Sequence, residues 1–572
     1  MSTRQISRSF GRLGPLLIAT LVAACNPNGT MTRPSGPVTP TAPGKADLIL
    51  RGGVIHTMDP AHPTATAVAL AGTQIVAVGT DAEITAWAVK GTEVIELHGR
   101  SVTPGLVDAH AHLYGLGVDL ENVSVRALTS EAEVVRVVTE AAKARPAGEW
   151  LVGRGWDQNK WPGQVFPTKA SLDVITDRPV LLRRVDGHAS WVNSVALKAA
   201  GITAATKDPA GGKIVRDAKG QPTGLLIDNA GDLVDAKMPV ATPEQRRRRI
   251  LAGIEKAIAT GITGIHEMGI DDATAEVYRT LDREAPLPLR VYAFLAGDPT
   301  KLDRLAQPPE PATPHFVMRG VKFFADGALG SRGARLMTDY EDDGGNRGLW
   351  VTEPEQLTKA VVAATTGGWQ VAIHAIGDAA VSSTLDAFAA ARVARPGNHR
   401  PRIEHAQLVA GADFARMVAT NAIASMQPTH ATSDMPWAEA RVGKNRILGA
   451  YAWRTMLDRG IPLASGSDFP VEDVGPLLGI YASVTRQDAT GQPAGGWYPA
   501  QRMTLDEAIA AFSRGAAYAE GAETTRGVIA VGKAADLTVF DRALAADRTL
   551  LETRADLTIL DGVVRYRRKG GD

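Results

Sequence analysis

The sequence predicts an α/β fold: a (β/α)8 TIM-type barrel with a small β-sandwich built from both chain ends. Three observations predict it. Eight short apolar runs alternate with helical stretches through the middle of the chain. Short, turn-separated β-rich pieces occupy both ends, too few at either end to bury a core alone. The ionisable residues of the middle fall where the apolar runs end, and barrels of this type carry their chemistry at the C-terminal ends of strands.

The eight runs are 102–108, 264–267, 289–294, 320–324, 370–374, 402–405, 424–428 and 463–468. Helices between them begin on capping signals. Thr242-Pro243-Glu244-Gln245 places a cap residue before a proline at the first helical position, and Thr504-Leu505-Asp506-Glu507 reads as a capping box. The run Arg246 to Arg249 near the first of these starts reads as a solvated face. Residues 109–263 separate the first run from the second, far more than one helix needs. They predict an inserted subdomain around 120–240 on the active-site side of the barrel, capping the pocket.

At the ends, 48–51, 67–70 and 75–78 on one side and 527–529, 535–540 and 559–564 on the other read as strands. The expected organisation is therefore an N-terminal share of the β-sandwich over 46–103, the barrel over 104–524 and a C-terminal share of the sandwich over 525–572. A chain of 572 residues is too long for one ordinary core and suits this division.

The first residues read as a targeting segment. Arg4, Arg8 and Arg12 precede a short apolar run over 13–24, too short to span a bilayer. It ends Leu21-Val22-Ala23-Ala24-Cys25, which resembles a bacterial lipobox. The expectation is a lipoprotein-type signal peptide over 1–25, lipid on Cys25 and a disordered tether over 26–45. The chain would then be exported and anchored at the cell envelope by that lipid alone. A cleaved signal with Cys25 incidental is the alternative. Cys25 is the single cysteine, so an internal disulfide and a cysteine-based zinc site are both excluded. Lys+Arg and Asp+Glu stand at 62 each, a balance that gives no argument for a nucleic-acid partner. The expected partner is a small-molecule substrate; oligomeric state is not readable.

His110 and His112 end the first run as His-Ala-His, and in extended chain residues i and i+2 face one side. Lys322 lies on the fourth run, His374 ends the fifth, His405 the sixth and Asp468 the eighth. A single histidine in an apolar run is usually a hydrogen-bonded core residue. Four of only 12 histidines at the strand ends of one barrel instead point to a metal site. Trp156, Asp157 and His188 in the insertion, and His430 after the seventh run, are candidates for contact with substrate. Glu267 and Asp326 also lie near strand ends and receive no catalytic step.

Pro104-Gly105-Leu106-Val107-Asp108-Ala109-His110-Ala111-His112 resembles the opening motif of the amidohydrolase superfamily. The stretch from Lys322 to Arg332, with Gly153-Arg154-Gly155-Trp156-Asp157-Gln158-Asn159 and Asp186-Gly187-His188-Ala189, resembles the branch containing N-substituted formamide deformylase. The resemblance implies that His110 and His112 bind one metal and His374 and His405 a second. It implies a CO2-derived carbamate on Lys322 bridging the two, with Asp468 both ligand and proton acceptor. One or two divalent ions are implied, zinc first, with iron, manganese or nickel also suited to N/O ligands. The implied reaction is hydrolysis of a non-peptide carbon–nitrogen bond, in an amide or an N-acyl or N-formyl compound, by metal-bound hydroxide. Ester, lactone or phosphoester hydrolysis on the same site, and a non-catalytic surface binding protein, are the competing readings.

Overall fold

The computed structural model describes residues 44–570. The expected signal peptide, Cys25 and almost all of the tether fall outside the described residues. Among those described, no helix is long and apolar enough to cross a membrane.

Eight parallel strands form one sheet: β1 (Leu106–Ala111), β2 (Ile262–Ile270), β3 (Arg290–Ala296), β4 (Phe316–Phe324), β5 (Gln370–Ala375), β6 (Arg402–His405), β7 (Ile423–Met426) and β8 (Leu463–Ser465). Each pairs with its successor, from β1 with β2 to β7 with β8. The ends of the sheet meet through Asp468 N–H donating to His110 O at 2.7 Å and Ser467 N–H donating to Asp108 Oδ1 at 3.0 Å, which nearly close the barrel. Gly466 permits this approach: a Cβ there would lie 2.4 Å from the His110 nitrogen. All eight runs read from the sequence contribute a barrel strand.

The first run is shorter in the barrel than expected. It breaks at Gly105, where a Cβ would meet Thr263 Oγ1 at 2.3 Å. Residues Ser101–Pro104 pair instead with Leu537–Phe540 in a second sheet, with Val102 opposite Val539. That six-stranded sheet draws strands from both chain ends, and a four-stranded sheet of N-terminal strands packs beside it. Leu50, Val68, Leu70 and Ile75 share one buried cluster with Val539, Leu557 and Ile559. The run 559–564 is not one strand but the join of a hairpin. Ala555–Leu560 turns back into Val563–Arg567 through Asp561 and Gly562, both at positive φ, as a two-residue hairpin turn requires. Residues 527–529 carry no strand.

The insertion between β1 and β2 holds its own mixed six-stranded sheet, running from Val123–Ser124 and Leu151–Trp156 to Gly212–Arg216 and Pro222–Asp228. It buries a separate cluster around Trp156, Trp161, Trp191 and Leu182. The capping signals act as read. Thr242 caps Pro243–Ile258 with Gln245 returning the bond, and Thr504 caps Leu505–Ala510 with Glu507. The solvated-face reading of Arg246 to Arg249 fails for two of the four. Arg246 is buried and donates to Asp271 at 2.9 Å, and Arg249 reaches Glu121 at 2.8 Å while lying over the Tyr114 ring. Carboxylates on neighbouring segments draw these cations inward, which periodicity along one helix cannot show.

Candidate metal centre

The C-terminal ends of the strands bring the candidate histidines together. The His110 and His112 rings lie 5.4 Å apart between centroids, His110 and His405 4.8 Å, His374 and His405 4.6 Å, and His405 and His430 5.7 Å. Asp468 stands among them. Its Oδ1 lies 3.1 Å from His112 Nε2 and 3.4 Å from His110 Nε2, and its Oδ2 3.7 Å from His430 Nε2. Two groups place one ligand atom each within 4.8 Å of the others: His110, His112 and Asp468, and His405, His430 and Asp468.

Backbone strain marks the same points. His405 has φ of 72° and Asp468 of 63°, in the left-handed region that non-glycine residues rarely adopt. Each costs on the order of 1–3 kcal/mol and persists because the surrounding barrel holds it.

The donor set fits a divalent cation. His112 Nδ1 lies 2.9 Å from the Met268 carbonyl, which can only accept, so Nδ1 carries the proton and Nε2 keeps its lone pair. His110 Nδ1 meets Glu404 Oε2 at 2.6 Å, and the same logic frees its Nε2. Among the described residues, His110 Nε2, His405 Nδ1, His430 Nε2 and Asp468 Oδ1 are buried without a hydrogen-bond partner. Buried polar atoms are ordinarily paired, so three such nitrogens around an unpaired oxygen of one carboxylate call for a bound group. Burial holds His110, His374 and His405 well below the usual imidazole range, in the neutral form a metal requires. For Asp468 burial favours protonation, but the pull of His110, His112 and His430 prevails and keeps it a carboxylate.

His374 and His430 stand differently from the expectation. His374 touches His405 ring to ring, yet its Nε2 lies 3.2 Å from the Gly327 carbonyl and it enters neither of the two groups around Asp468. His430, read as a substrate contact, enters one of them. It rides on the helix Pro428–Asp434, which starts directly after β7. Lys322 is buried, with Nζ 4.7 Å from the centre of the Phe324 ring, and among the described residues it forms no ion pair. Burial, helped by Arg402 and resisted by Glu404 and Asp468, pushes its amine down to about 8. Asp326 does not pair with Lys322. It accepts the backbone N–H groups of Arg335, Ile376 and Gly377 and so braces the loop after β4. Glu267 likewise receives Leu113 and Tyr114 N–H and caps the helix that follows His112.

A cavity of about 260 Å³ opens onto this cluster and is walled on one side by the insertion. Asp157, His188 and His430 line it, as expected for groups near substrate. Asp157 is held by Arg184 at 2.6 Å, and Arg184 also pairs with Asp186. His188 Nδ1 meets Asp228 Oδ1 at 2.7 Å, while its ring lies 4.9 Å from that of His374. Trp156 is the correction. It is fully buried, its indole N–H donates to Leu182 O at 2.8 Å, and it packs against Trp161 and Trp191, away from the cavity. Alternation explains the error: Asp157 faces the cavity and its strand neighbour Trp156 faces the subdomain core.

Sequence reading missed Glu404, Asp108 and Asp228. Asp108 accepts Ser467 N–H and Oγ–H and the His110 N–H, tying β8 to β1, and burial raises its carboxyl to about 7. A signal for Glu404 was present: Arg402 and Glu404 alternate in a short strand that is buried at every position, which is costly unless they are paired.

A parallel eight-stranded barrel whose mouth gathers histidines around one aspartate defines the metal-dependent hydrolase type of site. The chain belongs to the amidohydrolase family, whose model matches residues 93–566. It is 35% identical over 487 residues to YtcJ of Bacillus subtilis, an amidohydrolase by name, covering 83% of this chain and 91% of that protein. It is 29% identical over 551 residues to N-substituted formamide deformylase of Arthrobacter pascens, covering 92% and 99%. A metal-dependent hydrolase from Pyrococcus horikoshii superposes with a TM-score of 0.70 at 26% identity, over 91% of this chain and 100% of that one.

Proposed function

We propose that this protein is a metal-dependent hydrolase of non-peptide carbon–nitrogen bonds, acting on a small amide or an N-acyl or N-formyl compound. The observation that carries the reading is the set of unpartnered buried nitrogens around Asp468 in a member of the amidohydrolase family. The formamide substrate class named for the Arthrobacter pascens relative, and the small cavity, support the substrate side.

His110, His112, His405 and Asp468 would hold one or two divalent ions, with His374 or His430 completing the set. A divalent ion bound there polarises a carbonyl and acidifies water. Asp468 takes the proton of the attacking water and returns it to the leaving nitrogen, so the amine departs neutral. Val185 of the insertion and Leu329 of the loop after β4 line the cavity and would shield the carbonyl from bulk water. Lys322 as a carbamate would supply the negative charge that neutral imidazoles cannot give to two cations. Its amine, lowered to about 8, supports that reaction with CO2. We also propose export and anchoring through lipid on Cys25, with Cys25→Ser expected to release the protein from membranes.

Metal analysis joined to a turnover screen of N-formyl and N-acyl amines tests the reading. Stoichiometric metal with amide turnover is expected; metal with turnover of esters alone would replace the substrate class. Lys322→Ala should lose metal and activity together, and short carboxylic acids should restore a fraction of both. An unmodified amine at Lys322 in the active, metal-loaded enzyme would refute the carbamate.

A further inference from the structure

Beneath the histidines the barrel interior holds a charged pair among apolar side chains such as Met268 and Phe294. Arg402 and Glu404 are i and i+2 on β6, both fully buried, with Arg402 Nε 2.7 Å from Glu404 Oε1. Interiors of such barrels are ordinarily layers of branched apolar side chains. Replacing a buried ion pair with apolar residues is often neutral or stabilising, so fold stability alone does not account for this one.

What the pair touches gives it a role. Glu404 Oε2 receives His110 Nδ1–H at 2.6 Å. Arg402 donates to His266 Nδ1 at 2.7 Å on β2, to Ser425 Oγ at 2.8 Å on β7 and to the Ala109 carbonyl, the residue before His110. Its guanidinium also lies 5.0 Å from the centre of the Phe294 ring on β3. Arg402 is therefore fixed from four other strands, and it in turn fixes the carboxylate that faces His110. His266, which accepts from Arg402, carries its own proton on Nε2, 3.8 Å from Glu520 Oε2, and Glu520 pairs with Arg526 at 2.9 Å.

We propose that Glu404, held by Arg402, is the positioning residue of the metal centre: it fixes His110 with the proton on Nδ1 and the Nε2 lone pair aimed at the cation beside Asp468. The role follows from geometry. A carboxylate accepts, so the imidazole nitrogen facing it must donate, and the opposite nitrogen is left as the ligand. Without Glu404 the ring gains a second tautomer and rotational freedom, and the cation must then select one arrangement. This rests on the metal-dependent reading above.

The test compares zinc affinity, by competition with a chromophoric chelator, with the thermal midpoint of the metal-free protein, for wild type, Glu404→Gln and Glu404→Asp. The Asp variant keeps the charge but retracts it by one methylene from His110. Both variants should bind zinc about 10- to 100-fold more weakly, the usual cost of losing a ligand's outer partner, while the metal-free midpoint moves by only a few degrees. A purely structural pair would lower the midpoint and leave the affinity of the folded protein unchanged, and that result overturns the proposal. If neither variant folds, the zinc-loaded wild-type crystal structure decides. His110 Nε2 on zinc with Nδ1 on Glu404 supports it; Nδ1 on zinc, or Glu404 itself on zinc, overturns it. A wild-type protein that binds no divalent metal fails the proposed function as well, whereas variants that bind as tightly as wild type fail this inference alone.

Discussion

The barrel mouth and the wall of the inserted subdomain face each other across one cavity, and both are rich in charge. They differ in how that charge is met. In the wall, Arg184 is held between Asp157 and Asp186, and His188 rests on Asp228. In the mouth, His110 Nε2, His405 Nδ1, His430 Nε2 and Asp468 Oδ1 are buried without a hydrogen-bond partner among the described residues. Buried charge that is paired shapes a surface, whereas buried polar atoms left open wait for a ligand. The same residue types thus do different work on the two sides, and substitutions should separate them.

The strongest effect belongs to the mouth. Asp468→Asn keeps the side-chain shape but removes the proton acceptor, so turnover should fall about 100-fold or more while most of the metal stays bound. Metal content and kcat measured on one preparation check this. Full activity in the Asn variant would move the base elsewhere.

Next comes the wall. Arg184→Met leaves Asp157 and Asp186, which are mostly shielded from solvent, without their cation. Stability should drop by roughly 3–5 kcal/mol, the scale for breaking a buried pair, with metal content unchanged. Denaturant midpoints together with protease sensitivity over 120–240 read it. Loss of metal in this variant would erase the contrast between the two sides.

A weaker effect lies far from the cavity, where the hairpin turn meets the barrel. Asp561 accepts from His315 Nε2 at 2.7 Å and from Arg290 at 2.5 Å. Burial opposes its ionisation, but these partners prevail and hold its carboxyl at about 2. A folded value below the unfolded one, about 3.9, means that the stabilisation is complete above roughly pH 4 and is lost as pH falls through about 2. Asp561→Asn should therefore lower the stability at neutral pH by an amount on the order of 1 kcal/mol. That deficit should shrink toward zero as the medium approaches the folded value. Melting curves across this range check it, and a deficit independent of pH would show that packing, not charge, is lost.

The slightest effect sharpens the boundary of the wall. Trp156→Phe removes the indole N–H donated to Leu182 O, costing about 1 kcal/mol, and kcat/KM should stay within about twofold. A raised KM would return Trp156 to the cavity.

Most of the barrel was legible because strands between helices bury both faces and read as continuous apolar runs. His110, His112, His374, His405 and Asp468 were legible because polar residues at the ends of such runs are conspicuous. The break at Gly105 was hidden, since an apolar run does not say which sheet it joins. Glu404 was in view but unassigned: its partner His110 is 294 positions away in sequence.

Local pattern therefore sufficed for the eight strands, for the β-rich character of both chain ends and for the stock of residues available to a metal centre. Period, turn chemistry and capping act over a few residues, so a short stretch of chain carries each of these signals in full. Folding in three dimensions was needed to join His430 to His405 around Asp468, to turn Trp156 inward and to set Arg402 and Glu404 beneath His110. Those outcomes depend on which side chains meet across strands far apart in the chain, and on whether each buried donor finds an acceptor there, which no local pattern encodes.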